Sequence, residues 1–344
     1  MKWSIQINGK HYNNENFESI DNSEIRAFLE KWGNEELSIS VKTSGSTGKP
    51  KLIRLLKSDM IASAKLTGEY FNLKNAETAL LCLPVKYIAG KMMLVRAMVL
   101  GLDLISVKPS SNPIIDCVQS INFAAMTPMQ VNTVLNQSPD KLNLIEQLII
   151  GGAPVNSPLE SKLQEVKTHC YNTYGMTETI THIAVKKLNK GYKSKYFEAL
   201  PNITFQLNKD DCLLINTPHL STLTVTTSDK VKITDKHTFM FIGRIDNVIN
   251  SGGIKIHPEE LETRVSNLFH NKRFFFSSLP DELLGERVVL VIESKNRISN
   301  LESNLKKQLD TFEMPKTIFY IDSFMETKTK KIDRIRTLKR SMNE

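Results

Sequence analysis

Residues 43–51, which read T-S-G-S-T-G-K-P-K, combine two glycines, four hydroxyl side chains and two lysines. Glycines let the backbone turn sharply and approach a ligand. Successive backbone N–H groups, hydroxyls and ammonium groups together can bind phosphate. A Walker loop has four residues between its glycines and a Ser or Thr after its lysine, whereas here two residues separate the glycines and Pro50 follows Lys49. The stretch therefore predicts a phosphate loop of another kind, with a polar surface turn as the alternative.

A second polar stretch, Y-G-M-T-E-T at residues 174–179, places a carboxylate among hydroxyl groups. Magnesium prefers hard oxygen ligands and is commonly bound by one or two carboxylates together with substrate phosphates. Glu178 is therefore a candidate magnesium ligand. The alternative is structural, with Thr177 capping a helix.

Three further motifs have plain structural interpretations when each is taken alone. They are a strand-to-loop turn at residues 151–154 (G-G-A-P), a G-R turn inside residues 241–255 (F-I-G-R-I-D-N-V-I-N-S-G-G-I-K), and a solvated basic tail around residues 329–334 (T-K-K-I-D-R). None of the three indicates a function by itself. They do so only together, through their order along the chain.

Alternating strand and helix patterns between residues 37 and 173 must position these motifs. An apolar alternation at Leu37, Ile39 and Val41 predicts a strand before the glycine-rich stretch, and a helix-like segment is expected after it. Such alternation predicts an α/β fold with a mostly parallel sheet and helices on both faces. Ligands of such sheets bind at the carboxyl ends of the strands. The predicted helices are 23–32, 58–71, 91–100, 113–120, 128–135 and 158–166, and the predicted strands are 78–83, 102–107, 123–126, 147–150 and 169–172.

Beyond residue 201 the pattern becomes rich in strands, at 203–207, 212–216, 223–227 and 239–242. A smaller α+β segment follows, with helices at 258–267 and 301–311 and strands at 287–293 and 317–321. We place the domain boundary at Asp246, which predicts a domain of residues 1–245 and a second domain of residues 246–344.

Composition limits the classes of function. The 344 residues include 45 basic and 37 acidic side chains, a net charge of +8 that suits an anionic substrate such as a nucleotide. The lysines are dispersed and no arginine-rich block occurs, which disfavours nucleic acid as a partner. The four cysteines lie far apart without a C-x-x-C motif, which disfavours a zinc or redox site. Cys82, Cys117 and Cys170 lie in apolar patterns and are expected in the core. No apolar run is long enough for a membrane span, so we expect a cytoplasmic protein and leave its oligomeric state open.

Taken together, the motifs resemble the acyl-adenylate-forming enzymes, which include acyl-CoA synthetases, luciferases and the adenylation domains of peptide synthetases. The resemblance covers residues 41–336 and implies a large N-terminal domain with a β-rich subdomain and a small, mobile C-terminal lid domain. It also implies ATP, Mg²⁺ and CoA as cofactors and a small-molecule acid as substrate. The chain departs from the family in three places: Ser228 and Lys330 replace glycines, and only about forty residues precede the glycine-rich stretch.

The resemblance assigns a role to each matching residue. Thr177 would contact the α-phosphate, Glu178 would bind Mg²⁺, and Lys331 would stabilise the carboxylate and α-phosphate during adenylation, with Lys330 as the alternative lysine. Asp229 would bind the ribose, Arg244 would contact the ribose and phosphate, and Asp246 would be the hinge. Phosphate-loop positions are Thr43, Ser44, Gly45, Ser46, Thr47, Gly48 and Lys51. Positions around the adenine are Gly151, Gly152, Ala153, Pro154 and Tyr174.

The acid is suggested by residues 84–96, P-V-K-Y-I-A-G-K-M-M-L-V-R. Tyr87 matches a family position that gates the acyl pocket, and Lys91 and Arg96 follow it on an apolar helix. An arginine in such a helix needs a partner, either an internal carboxylate or a second carboxylate on the substrate. The stretch is similar to that of the o-succinylbenzoate–CoA ligases of menaquinone biosynthesis, whose substrate is a keto-diacid. The sequence thus predicts an acid–CoA ligase for o-succinylbenzoate, with a ligase for another aryl or acyl acid, or a non-catalytic nucleotide-binding protein, as alternatives.

Overall fold

The structure, a computed structural model, describes residues 2–42, 52–191, 194–269, 272–327 and 332–343. The glycine-rich stretch with Thr43, Ser44, Gly45, Ser46, Thr47, Gly48 and Lys51 lies outside these residues, as do Lys330 and Lys331.

Twenty strands occur in the described residues. They are β1 (Ser4–Ile7), β2 (Lys10–Asn13), β3 (Ser38–Lys42), β4 (Leu52–Leu56), β5 (Thr78–Leu81), β6 (Asp103–Ser106), β7 (Ile121–Met126), β8 (Ile145–Ile150), β9 (His169–Gly175), β10 (His182–Lys187), β11 (Phe197–Ala199), β12 (Thr204–Leu207), β13 (Cys212–Asn216), β14 (Thr224–Asp235), β15 (Thr238–Arg244), β16 (Ile249–Ser251), β17 (Ile254–Ile256), β18 (Phe274–Asp281), β19 (Gly285–Glu293) and β20 (Thr317–Ile321).

The same residues form nine α-helices. These are α1 (Ser23–Gly33), α2 (Lys57–Phe71), α3 (Ile88–Leu100), α4 (Pro128–Gln137), α5 (Pro139–Leu142), α6 (Ser157–Leu163), α7 (Pro258–Val265), α8 (Leu301–Leu305) and α9 (Arg334–Ser341). None of the helices in the described ranges has both the length and the apolar character that crossing a bilayer requires.

A 13-stranded sheet organises the first two thirds of the chain. Its parallel part has the order β9-β8-β7-β5-β6-β1, and antiparallel strands extend it at both edges. Successive side chains of a strand point to opposite faces, and β5 shows the result: Ala79 and Leu81 enter one core, and Leu80 enters the other. Helices α1, α2 and α3 cover the first core, and α4 and α6 cover the second. The predicted α/β fold with helices on both faces is confirmed.

Local signals explain where the helices near the site begin and end. Thr127 and Gln130 form a reciprocal capping box at the start of α4, which satisfies backbone donors that a helix start leaves unpaired. Helix α3 ends at Gly101, whose φ of +68° is a left-handed conformation that glycine adopts without a steric penalty. Arg96 lies in the second half of α3, one turn before this end.

A second, five-stranded sheet contains β16, β17, β18, β19 and β20. Helices α7 and α8 share one of its apolar cores, and α9 contributes to the other. The large sheet ends at Arg244 and the small sheet begins at Ile249, so the predicted boundary at Asp246 falls between the two sheets. The division into two domains stays a prediction.

Two predictions of local structure are wrong. The residues after the glycine-rich stretch form strand β4, not a helix-like segment: β4 pairs with β3 in a two-stranded antiparallel ribbon whose Lys42–Leu52 pair brackets residues 43–51. The predicted helix at 113–120 is a series of turns. Ile114 is buried there, but Val118 is 85% exposed, so the segment has no continuous apolar face to support a helix. Cys117, expected in the core, is half-buried.

Candidate active site

The carboxyl ends of four parallel strands bring the sequence motifs together. Strands β5, β7, β8 and β9 are neighbours in the sheet and end at Leu81, Met126, Ile150 and Gly175. The segments that follow these ends are residues 84–87, the start of α4, residues 151–154 and residues 176–179. This edge is the ligand-binding edge expected of a doubly wound sheet.

Gly151 and Gly152 leave the edge at the end of β8. The Gly151 N–H donates to the Met126 carbonyl at 3.1 Å, and a Cβ on Gly151 would lie 2.3 Å from Thr173 Oγ1. Gly152 has a φ of +86° and no atom within 4 Å of where its Cβ would lie. The backbone is therefore tightly packed at Gly151 and open at Gly152, Ala153 and Pro154, which are exposed.

A tight turn, here called the 175–182 hairpin, joins β9 to β10. Gly175 lies directly opposite His182, and a Cβ on Gly175 would lie 2.3 Å from the Thr181 carbonyl oxygen. The buried Thr179 hydroxyl braces the turn, accepting from the Met176 N–H at 3.0 Å and donating to the Thr181 carbonyl at 2.7 Å. The brace holds Thr177 half-buried and Glu178 exposed at the tip.

Tyr174, Asp229 and Arg244 form a polar cluster at one side of this hairpin. The Tyr174 hydroxyl donates to Asp229 Oδ2, and Arg244 Nη1 lies 3.3 Å from Asp229 Oδ1. Arg244 Nη2 also contacts Asp246 Oδ2 at 2.8 Å, so one guanidinium links the large sheet to the predicted hinge. The Tyr174 ring lies against Phe239, with their centroids 4.9 Å apart.

Burial dominates the electrostatics of that cluster. It raises the pKa of Tyr174 well above its usual value, and the Asp229 carboxylate raises it further. Burial also raises the pKa of Asp229, although Tyr174 and Arg244 oppose the shift. The Tyr174 phenol therefore stays protonated and acts as a hydrogen-bond donor.

A cavity of about 350 Å³ lies beside Glu178. Arg54 and Asp59 also line it, the first from β4 and the second from α2. Strand β4, which carries Arg54, begins directly after residue 51. The cavity lining therefore includes residues that follow the glycine-rich stretch in the sequence. No group of three or more metal-ligating side chains occurs among the described residues. A magnesium ion at Glu178 would therefore take further ligands from phosphates and water.

Arg96 is 2% exposed, and none of its contacts with the described residues is to a carboxylate. Its Nη2 donates to Thr181 Oγ1 at 3.3 Å, and its Nη1 lies 3.5 Å from Met93 Sδ. Its Nε has no hydrogen-bond partner in the part of the chain that the structure describes. The guanidinium also lies over the Phe123 ring, 6.0 Å from its centroid. Burial lowers the pKa of Arg96 to about 10, so the side chain stays charged at neutral pH. Within the described ranges it has no countercharge.

Lys91 and Tyr87 lie at the other end of α3. Lys91 Nζ donates to the Val85 carbonyl and lies 5.7 Å from the centroid of the Phe28 ring in α1. The Tyr87 N–H donates to the Pro84 carbonyl at 3.2 Å. The structure therefore brings Lys91 to the turn that carries Tyr87 and does not bring it to Arg96.

Two residues of this site were missed from the sequence. Thr181 and His182 follow the Y-G-M-T-E-T motif after one residue, Ile180. Thr181 is a hydrogen-bond partner of Arg96. The available signal was a pair of polar residues at the start of an apolar strand, T-H-I-A-V.

The fold is that of the acyl-adenylate-forming class. The o-succinylbenzoate coenzyme A synthetase of Bacillus subtilis, solved in complex with ATP and magnesium ion, superposes with a TM-score of 0.73 at 18% identity, over 87% of this chain and 69% of that chain. That likeness shows the fold.

Sequence relationships identify the family. The AMP-binding enzyme family matches residues 10–212. An acyl-CoA synthetase (AMP-forming)/AMP-acid ligase II-like protein of Dyadobacter fermentans is 34% identical, with a TM-score of 0.64 over 99% of this chain and all of that chain. The 2-succinylbenzoate–CoA ligase of Lactococcus lactis is 25% identical over 323 residues, 87% of this chain and 70% of that protein. The chain belongs to the AMP-binding enzyme family, and the prediction of an adenylate-forming enzyme is confirmed.

Proposed function

We propose that the protein is an acid–CoA ligase that activates o-succinylbenzoate. In the first half-reaction, a carboxylate oxygen attacks the α-phosphate of ATP, and pyrophosphate leaves as the acyl-adenylate forms. In the second, the thiol of CoA attacks the acyl carbon, and AMP leaves as the thioester forms. Both half-reactions gain rate from positioned reactants and from fixed charges near the developing negative charge.

The edge site supports a role for each residue in the first half-reaction. Thr177 and Glu178 are held at the tip of the braced hairpin, where they would contact the α-phosphate and magnesium. Bound magnesium would neutralise phosphate charge. The open backbone at Gly152 would accept the adenine beside Tyr174, and Asp229 and Arg244 would bind the ribose. Residues 43–51 would hold the phosphates, and Lys331 would approach the reacting carboxylate.

The observation that carries the choice of acid is the buried, uncompensated charge of Arg96. An isolated buried cation is costly and is normally paired. A second carboxylate on the substrate would supply the countercharge and would allow a bidentate contact. A substrate with two carboxylates satisfies both needs, because one reacts while the other is bound. The 2-succinylbenzoate–CoA ligase names of related proteins agree with this choice.

The test is pyrophosphate release with ATP and magnesium. The acids compared are o-succinylbenzoate, benzoate and a medium-chain fatty acid, each with and without CoA. Of the three acids, we expect only o-succinylbenzoate to give pyrophosphate release. When CoA is present, we expect its thioester as the product. Release with a different acid would keep the mechanism and reject the substrate. Tight ATP binding without release for any acid would favour a non-catalytic nucleotide-binding protein.

Lys331 provides a separate test of the two half-reactions. We expect Lys331→Ala to abolish adenylation, since the charge at the reacting carboxylate is lost. The same variant should still transfer a preformed acyl-adenylate to CoA. Pyrophosphate release and thioester formation are measured independently, with Lys330→Ala as the neighbouring control. Equal loss of both half-reactions in Lys331→Ala would count against this role.

A further inference from the structure

A second unpartnered polar atom lies in the region of Arg96. His182 is 7% exposed, and its buried Nε2 has no hydrogen-bond partner among the described residues. Leaving a buried polar atom unpaired costs free energy, so two such atoms in one region, Arg96 Nε and His182 Nε2, indicate a place that a polar ligand completes.

Contacts between neighbouring side chains connect the two residues. Arg96 donates to Thr181, which precedes His182 in the chain, and Thr181 Oγ1 lies 2.9 Å from Ser63 Oγ. The Arg96 guanidinium lies over Phe123. The Phe71 ring is 5.2 Å from the Phe123 ring and 6.1 Å from the His182 ring.

Among the described residues, the charge that acts on the His182 imidazole is that of Arg96. Burial and the nearby positive charge of Arg96 hold the pKa of His182 well below its usual value, so the imidazole is neutral at neutral pH. A neutral imidazole can still donate a hydrogen bond from one ring nitrogen. One carboxylate would therefore neutralise Arg96 and could also accept from the histidine.

We propose that His182 is a specificity-determining residue of the acid site, donating from Nε2 to the same non-reacting carboxylate that Arg96 binds. The ligand class is an aryl acid with a second carboxylate, because the Phe123 ring lies against Arg96 and the Phe71 ring against His182. This inference rests on the proposed function, because it takes the ligand bound by Arg96 and His182 to be the acid that the enzyme activates.

The test compares acids that differ by one carboxylate. Binding of o-succinylbenzoate is measured by calorimetry in the presence of AMP, so that no chemistry is needed. Its analogues benzoylpropionate and o-butyrylbenzoate each lack one of the two carboxylates. Wild-type protein is expected to bind the diacid more tightly than either analogue.

His182→Leu should lower affinity for the diacid by about tenfold to hundredfold, the usual loss for a hydrogen bond to a charged group. It should leave the affinity for the analogue without the non-reacting carboxylate unchanged. His182→Gln keeps an amide donor and should restore most of the preference. His169→Gln, an exposed histidine at the start of β9, is the matched control. The result is the ratio of the affinities of one variant for two ligands. A partial loss of folded protein affects both measurements equally and therefore cancels in the ratio.

Two results would overturn the inference. One is a wild-type protein that binds the diacid no better than its analogues, and the other is an equal loss for all three acids in His182→Leu. Pyrophosphate release is recorded separately. Selective diacid binding without pyrophosphate release would reject the proposed function and retain the role of His182.

Discussion

At the scale of single residues, Arg96 presents a conflict between stability and function. A buried ion without a countercharge destabilises a fold, and replacing buried charges by apolar groups of similar volume is often neutral or stabilising by about 1–4 kcal/mol. The arginine is therefore more readily explained by ligand binding than by folding.

We expect Arg96→Met to keep or raise the free energy of unfolding while it abolishes activation of the diacid. Urea denaturation and pyrophosphate release measure the two effects. The matched control is Arg334→Met, because Arg334 has a countercharge, Glu262, at 2.7 Å. Breaking that pair should destabilise the protein by about 3 kcal/mol. A comparable loss of stability in Arg96→Met would show that Arg96 is a structural residue.

The neutral state of His182 predicts a pH dependence of stability. Its pKa is depressed in the folded protein, so the unfolded chain binds a proton more readily as the pH falls below the ordinary value of about 6.5. Stability is consequently lost as the pH falls, by up to about 1.4 kcal/mol per pH unit from this group. We expect His182→Gln to have a flatter profile than wild type in urea unfolding between about pH 8 and about pH 5. Parallel profiles for the two proteins would contradict the assignment.

At the scale of elements, the 175–182 hairpin depends on Gly175, because the backbone of Thr181 leaves no room for a side chain there. We expect Gly175→Ala to move residues 181 and 182, since its Cβ would lie 2.3 Å from a backbone oxygen. The predicted result is a rise in KM for the acid and a loss of about 1–3 kcal/mol in stability. Steady-state kinetics and thermal unfolding measure these effects.

The control for that substitution is Gly68→Ala in α2. The nearest atoms to its added Cβ, at 2.7 and 2.9 Å, belong to the Leu100 side chain, which can move. Alanine is also favoured over glycine inside a helix. Similar losses in Gly68→Ala and Gly175→Ala would contradict the importance of the backbone contact.

The elements near the site were partly predictable from sequence. Strand β13 has the predicted bounds of 212–216 because its apolar pattern and flanking turns are local signals. Strand β4 was missed because it pairs only with β3 and has three exposed leucine or arginine positions. The hydrogen bond between Tyr174 and Asp229 joins residues 55 positions apart, and no local pattern predicts it. The sequence did identify Arg96. Which groups surround it depends on the elements packed against α3, so no local pattern could predict that the described residues supply no countercharge.

At the scale of the whole molecule, a contact between α6 and the turn after α7 joins the two sheets. The Ser266 hydroxyl donates to Ser157 Oγ at 2.9 Å. If the small domain rotates between the half-reactions, this contact belongs to one of the two states. A covalent cross-link between positions 157 and 266 should therefore permit one half-reaction and block the other.

We expect the double variant Ser157→Cys with Ser266→Cys, once oxidised, to retain either adenylation or thioester formation and to lose the other. Reduction should restore both, because the constraint is removed. Each single variant, treated with the same oxidant, controls for oxidation at the four native cysteines. Full turnover by the cross-linked protein would show that the proposed rotation is not needed.

The 175–182 hairpin has Glu178 at its tip and Thr181 and His182 at its base, so one short braced turn would contact both proposed ligands. Ordering the turn for one ligand would lower the cost of binding the other. Thermodynamic reciprocity then requires that ATP raise the affinity for the acid by the same factor by which the acid raises the affinity for ATP. The two substrates would thus cooperate in binding before any bond is made.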